Sequence, residues 1–325
     1  MRNESRPGRT CPVHYRYSPA VFHREPELFA QTLYVVGGLY GNPFALATLL
    51  DMARAEAAPA KLVFNGDFHW FDIDAPTFAA VDAEVLAHTA LRGNVETELA
   101  AHSDKAGCGC AYPDWVGEAE VERSNAIMRS LRGTAAELPG LCTRLGALPM
   151  HLVAEVGGLK VGIVHGDAES LAGWRFSQEL LRGDAARAGA LLARAQVRVL
   201  ACSHTCLPVA LDFDTPAGTA VVINNGAAGM PNFAGECFGL VTRISAHAAP
   251  DALYGMELDG VRVEALPVRY DSAAWIEHFD RQWPAGSPAA LSYRGRIANG
   301  PDYDLAQAAR GRVRRALRAA QGNGR

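Results

Sequence analysis

The chain has 325 residues, 49% apolar and 20% charged, with 35 acidic against 31 basic side chains and a formal net charge of −4. That is enough apolar material for one large core or two small ones, and the acidic balance excludes a general nucleic-acid binder. No run approaches the roughly eighteen consecutive apolar residues of a membrane-spanning helix, and positions 1–9 lack the apolar segment of a secretory signal. Seven cysteines in so long a chain do not read as a disulfide framework, so a reducing cytoplasm is the expected compartment.

Residues 1–31 read as a polar extension in which Cys11 and His14, lacking a second such pair, are packing residues. A strand over 32–36 runs into Gly37, Gly38, Leu39, Tyr40 and Gly41. Asn42 then has the chemistry of an N-cap, Pro43 that of a first helical position, and Leu46, Leu49, Leu50 and Ala53 share one helical face. The N–H groups behind Gly41 suit an anion, which makes Asn42 a candidate substrate ligand. Leu62, Val63 and Phe64 form a short buried strand, and Gly66 turns the backbone so that Asp67 stands at the strand's C-terminal end, where open α/β sheets bind ligands.

A helix over 76–88 leads to a short strand before Gly93 and Asn94, followed by an insertion over 98–115 in which Cys108 and Cys110 flank Gly109 in an ordered loop. Residues 119–131 form an amphipathic helix with Val121, Ile127, Met128 and Leu131 inward. A hairpin over 151–164, turning at Gly157 and Gly158, delivers His165; a helix follows at 185–195, and the next strand ends at His204. A strand over 220–223 ends in a glycine-rich loop with Asn224 and Asn225, and strands over 237–244 and 260–268 complete a second sheet. The expected division is an extension over 1–31, a domain over 32–270 and a C-terminal extension over 271–325, ending in a basic helix at 305–320.

Asp67, Asn94, His165 and His204 thus sit at strand ends and offer two oxygens and two nitrogens, a set suited to Zn, Mn or Fe rather than to an all-oxygen Ca or Mg cage. In order and spacing these segments, over roughly 30–240, resemble the calcineurin-like metallophosphoesterases, with motifs D-x-H, G-D, G-N-H-D/E, H-G and G-H-x-H. The resemblance implies an α/β four-layer αββα sandwich of two mixed β-sheets flanked by helices. It also implies one complete ion site made of Asp67, Asn94, His165 and His204, which are then both the metal ligands and the catalytic residues. This chain departs from the pattern at the other site: Gly38 and Tyr40 replace the D-x-H pair, Cys206 replaces the second histidine of G-H-x-H, and Val95 replaces the histidine of G-N-H. A rebuilt second site would draw on Cys206 or His69, with Asp72, Cys108 and Cys110 as further candidates.

The substrate-binding candidates are Asn42, Arg92 beside the Gly93 turn, Arg175 beside the His165 turn, and Asn225, whose loop resembles the N-x-G segment that closes such sites. Asp167 is a candidate for orienting a neighbouring histidine. The expected function is metal-dependent hydrolysis of a small phosphorylated substrate, with at least one Mn, Zn or Fe ion and no membrane partner. The alternatives are a non-catalytic descendant that binds a metal, a phosphorylated ligand or a partner protein, and different chemistry at a Cys206 thiolate.

Overall fold

Successive side chains of a strand point to opposite faces, so a strand apolar at every position must be covered on both sides. The strand Thr32–Val36 is buried throughout. Leu33 and Val35 enter one apolar cluster, while Tyr34 and Val36 enter another. This splitting, repeated along the chain, generates the layers. The structure is a computed structural model that describes residues 6–101, 103 and 105–315.

The strands in chain order are β1 (Leu28–Ala30), β2 (Thr32–Val36), β3 (Ala60–Asn65), β4 (Thr89–Leu91), β5 (His151–Val156), β6 (Leu159–Val164), β7 (Val199–Cys202), β8 (Val209–Thr215), β9 (Gly218–Asn224), β10 (Gly239–Ser245), β11 (Tyr254–Leu258), β12 (Val261–Val268) and β13 (Arg314–Arg315). One sheet has the order β1-β5-β6-β7-β9-β8 and the other β13-β11-β12-β10-β2-β3-β4. Both are mixed: β2, β3 and β4 run parallel, as do β6, β7 and β9, while β10, β12, β5 and β8 contribute antiparallel pairs.

Leu33, Val35 and Val63 meet Val161, Ile163, Val199, Ala201, Val221 and Ile223 between the sheets. On the outer face of the seven-stranded sheet, Tyr34, Val36, Leu62 and Phe64 pack against Leu46, Leu49, Phe78, Val81, Trp275 and Phe279 from helices. On the outer face of the other sheet, Val153, Val164, Leu200 and Val222 meet Leu191 and Leu192 of the helix Ala185–Ala195. The result is a four-layer αββα sandwich. No helix among the described residues is long and apolar enough to cross a membrane.

The hairpin forms with Val156 opposite Leu159, as its Gly157-Gly158 turn requires. Other expectations change. β1 pairs in parallel with β5, and Tyr15 and Phe22 are fully buried, so the described part of the 1–31 segment packs into the fold. Of the basic helix expected over 305–320, the described residues form a helix at Leu305–Ala308 alone, with Arg314 and Arg315 paired to β11 as a strand; 316–320 lie outside the described residues. The helices that do cover the core there are Ser272–Gln282 and Pro288–Asn299, which bury Trp275, Phe279, Ala289 and Ile297.

One buried ion network ties three strands to the first helix layer. Arg243 on β10 grips both oxygens of Glu56 at 2.6 and 2.9 Å and reaches Glu264 on β12 at 3.0 Å, while the Tyr34 hydroxyl on β2 donates to Glu56 at 2.6 Å. The guanidinium holds the Glu56 carboxyl below its ordinary range. Its contribution is therefore complete above the ordinary value of 4.5 and is lost as pH falls through the lower folded value. Replacing Arg243 with Met strands the buried Glu264 and the partly buried Glu56, and chemical denaturation is expected to show a loss of about 3 kcal/mol at neutral pH that shrinks on acidification.

Candidate metal centre

The parallel strands of both sheets end on the same side of the sandwich, and each end supplies a polar side chain. Asp67 follows β3, Asn94 follows β4, His165 follows β6 and His204 follows β7. All four are buried. Ligand atoms of Asp67, His165 and His204 lie within 4.8 Å of one another. His165 Nε2 is 3.3 Å from Asp67 Oδ2, 3.1 Å from Asn94 Oδ1 and 3.1 Å from His204 Nδ1.

The outward-facing atoms decide what the inward ones are. His165 Nδ1 is 2.9 Å from the Asn65 carbonyl oxygen, which can only accept, so Nδ1 carries the hydrogen. His204 Nε2 is likewise 3.0 Å from the Cys110 carbonyl oxygen. The Asn94 amide donates Nδ2 to the Cys108 carbonyl oxygen at 2.9 Å, which turns Oδ1 inward. Asp67 Oδ1 accepts from the Val95 N–H at 3.1 Å, leaving Oδ2 toward the cluster. Two imidazole lone pairs, an amide oxygen and a carboxylate oxygen therefore face one point, an arrangement that repels itself unless a cation or a proton lies among them.

The titration behaviour expresses the same demand. Burial opposes charge on His165, but the Asp67 carboxylate outweighs it and holds the imidazole pKa above its ordinary value. Burial, reinforced by the neighbouring His165, pulls His204 down to about 3, which leaves its lone pair free. Burial would raise Asp67, yet the two histidines hold it below the usual carboxylate range. The donor set fits a divalent transition metal, whose charge satisfies every inward atom at once.

The backbone around the cluster is tightly set. Gly66 has φ 75°, and a Cβ there would run into the Gly93 backbone and come within 2.7 Å of His165 Nδ1. Tyr40, Asp67 and Cys206 occupy the left-handed region at φ 57°, 52° and 61°, three of the six non-glycine residues that do so among the described residues. Such conformations cost energy and persist where surrounding contacts hold them. Here Glu96 does much of the holding: its carboxylate accepts from the N–H groups of Asp67 at 2.8 Å, Phe68 at 3.0 Å and Gly93 at 2.8 Å. Burial, with Asp67 nearby, pushes Glu96 up to about 7. Sequence reasoning missed Glu96, although it stands where G-N-H-D/E carries its acid and, at the third helical position, accepts the Gly93 N–H.

The other candidates are engaged elsewhere. His69 is sealed from the cluster: Nδ1 is 2.6 Å from Asp72 Oδ2, its ring stacks on Phe78 with centroids 3.6 Å apart, and Nε2 faces Asp82. Burial opposes its charge, but Asp72 outweighs it and lifts the pKa to about 9, so His69 and Asp72 form an internal ion pair. Cys108 and Cys110 are joined to each other in a disulfide. Cys206 lines the same cleft as Asp67 and His204, with its thiol 2.9 Å from the Tyr40 hydroxyl and pushed up by burial, so it is a neutral thiol.

Asn42 caps the helix Pro43–Arg54 by accepting from Phe44 and Ala45, and it donates to the Gly229 carbonyl. Arg92 donates to the Gly146 carbonyl, and Arg175 pairs with Glu169 at 3.2 Å. Asn225 donates to the Gly37 and Leu240 carbonyls and ties β9 to the other sheet. Asp167 organises its own turn by accepting from the N–H groups of Glu169, Ser170 and Arg175, and does not orient His165. The short range of those backbone bonds is the physical reason: a polar residue after a strand is often consumed by its own loop.

The architecture is shared with solved structures. A crystal structure of a metallophosphoesterase from Sphaerobacter thermophilus superposes with a TM-score of 0.52 at 17% identity, covering 83% of this chain and 100% of that one. The fold is that of the metallophosphoesterases. A hypothetical protein from Pyrococcus horikoshii OT3 gives a TM-score of 0.55 at 16% identity, covering 84% of this chain and 99% of its own. Comparison of the sequence with family models and with curated proteins finds no match. At such identities the metallophosphoesterase likeness is one of fold, and the site is argued from its own atoms.

Gly66→Ala tests whether the turn shapes the centre. It is expected to cost about 2 kcal/mol of stability from the left-handed backbone and the Gly93 collision, and to weaken Mn or Zn binding measured by calorimetry. Unchanged metal affinity would mean that the turn does not position Asp67.

Proposed function

We propose that the chain is a metal-dependent phosphoester hydrolase with one ion site, held by Asp67, Asn94, His165 and His204. The observation that carries this reading is the convergence of four buried electron-pair donors at strand ends of the metallophosphoesterase fold. When bound, a Mn, Zn or Fe ion supplies Lewis-acid activation of water and of the phosphoryl group. The chain's own residues supply the rest. Asn65 and Cys110 fix the two imidazoles through their carbonyl oxygens, Cys108 fixes the Asn94 amide, and the Glu96 carboxylate holds Asp67 in place.

Val95 lines the cleft where the resemblance would put an acid for the leaving group, and an alkyl side chain cannot donate a proton. Turnover is therefore expected to favour leaving groups that depart unprotonated, such as nitrophenolates. The Tyr40–Cys206 pair fills the corner where a second ion would need ligands, which favours a single ion and slow chemistry. That same observation supports the second reading, a non-catalytic binder of a metal and a phosphorylated ligand.

Hydrolysis of a panel of nitrophenyl monoesters and diesters with Mn, Zn or Fe supplied decides between the two. The proposal expects turnover that His204→Ala lowers by at least about a hundredfold; one ion per chain without turnover would establish the binder. Gly38→Asp combined with Tyr40→His is expected to raise the ion count from one to two per chain by elemental analysis, together with the rate.

A further inference from the structure

The cleft that opens onto Asp67, Asn94 and His204 is narrow, with about 40 Å³ of room for the centres of water-sized molecules, and it widens toward solvent. Its walls carry five aromatic rings, those of Tyr40, Trp70, Tyr112, Trp174 and Tyr293. Among its described lining residues none is Lys or Arg. The guanidinium groups near it are spent on the protein: Arg296 donates to the Cys206 and Pro231 carbonyls, Arg175 pairs with Glu169, and Arg92 donates to the Gly146 carbonyl.

Charge then limits what can enter. A divalent ion balanced against the Asp67 carboxylate leaves one positive charge at the centre. A phosphomonoester dianion would carry more negative charge than that into a cleft with no Lys or Arg among its described lining residues, Arg296 lying behind the Cys206 carbonyl. A diester carries a single negative charge and matches.

The rings are held in place. Trp174 donates its indole N–H to the Cys110 carbonyl at 2.9 Å, and the Tyr112 hydroxyl is 3.0 Å from Ser124 Oγ, with the two ring centroids 5.8 Å apart. Trp70 and Tyr293 meet edge to face at 6.5 Å. Outside the cleft Trp115 continues the row, edge to face with Trp174 at 6.4 Å and 55% exposed, one of the few large apolar side chains left in solvent. Rigid π-faces leading from solvent to a charged centre are a surface on which a flat ring stacks at small entropic cost.

We infer that the site takes phosphodiester monoanions bearing a planar aromatic group, which lies on the Trp174–Trp115 rings at the cleft mouth while the phosphoryl group sits at the end lined by Asn94 and His204. This rests on the hydrolase reading of the same centre. A nucleobase and a simple aryl ester share this chemistry, so both enter the test.

Calorimetric titration of the metal-loaded full chain uses four probes in mildly alkaline buffer: phenyl methylphosphonate, thymidine 5′-methylphosphonate, methyl methylphosphonate and the dianion phenylphosphonate. Phenyl methylphosphonate is expected to bind at least about tenfold more tightly than methyl methylphosphonate, and more tightly than phenylphosphonate. Equal or tighter thymidine binding assigns the ring to a nucleoside, and rejection of thymidine assigns it to a smaller aryl group; either supports the inference. The surface variant Trp115→Ala, which cannot disturb the core, should narrow the phenyl-to-methyl gap while leaving methyl methylphosphonate affinity unchanged, and Trp174→Leu should narrow the same gap. Equal affinity for phenyl and methyl esters, preference for the dianion, or no binding of any ester overturns the inference. Tight aryl binding without diester turnover would overturn the hydrolase reading alone, whereas turnover of aryl and methyl diesters with the same KM would overturn this inference alone.

Discussion

Four electron-pair donors aimed at one point is the constraint around which this molecule is arranged. Left to themselves, the Asp67 carboxylate, the Asn94 amide oxygen and the imidazoles of His165 and His204 would turn outward to find hydrogens. They cannot, because each is pinned from behind by a backbone group: the carbonyl oxygens of Asn65, Cys108 and Cys110, and the N–H of Val95. A cation or a proton among them would relieve the repulsion. Burial, with His165 nearby, lowers the proton affinity of His204, while the burial of His165 is outweighed by the Asp67 carboxylate, which raises its proton affinity.

Holding such a cluster requires rigidity, and the fold provides it in layers. β3 and β4 belong to one sheet, β6 and β7 to the other, so the site straddles the sandwich, and sliding of one sheet on the other would break it. The core between the sheets, with Val35 and Val63 against Ile163 and Ala201, opposes that sliding. Asn225 adds a polar tie from β9 to the Gly37 and Leu240 carbonyls of the opposite sheet. The left-handed conformations of Tyr40, Asp67 and Cys206 are tolerated because these elements are fixed around them. The Cys108–Cys110 loop closes the outside by placing two carbonyl oxygens behind the ligands.

Much of this was legible in the sequence because it depends on local patterns. Apolar strands ending in a ligand-type side chain marked Asp67, Asn94, His165 and His204, the first two after a glycine, and the hairpin announced itself through Gly157 and Gly158. What was not legible depended on side chains choosing between near and distant partners. His69 stands two positions from Asp67, yet its ring turns to Asp72 and Phe78. Asn42, Arg175 and Asn225 have substrate-binding chemistry but are consumed by a cap, an ion pair and a bond between the sheets. The arginine-rich end looked helical by composition, but Arg314 and Arg315 find an open strand edge at β11. Glu96 was readable from its motif position, whereas the aromatic walls of the cleft come from segments far apart in the chain and carry no local signature.

Anomalous diffraction from crystals soaked in Mn is the most direct measurement of the central claim. The account predicts one peak within bonding distance of Asp67 Oδ2, Asn94 Oδ1, His165 Nε2 and His204 Nδ1, lost in His204→Ala crystals. A peak bound only elsewhere, or none at saturating Mn, would contradict it.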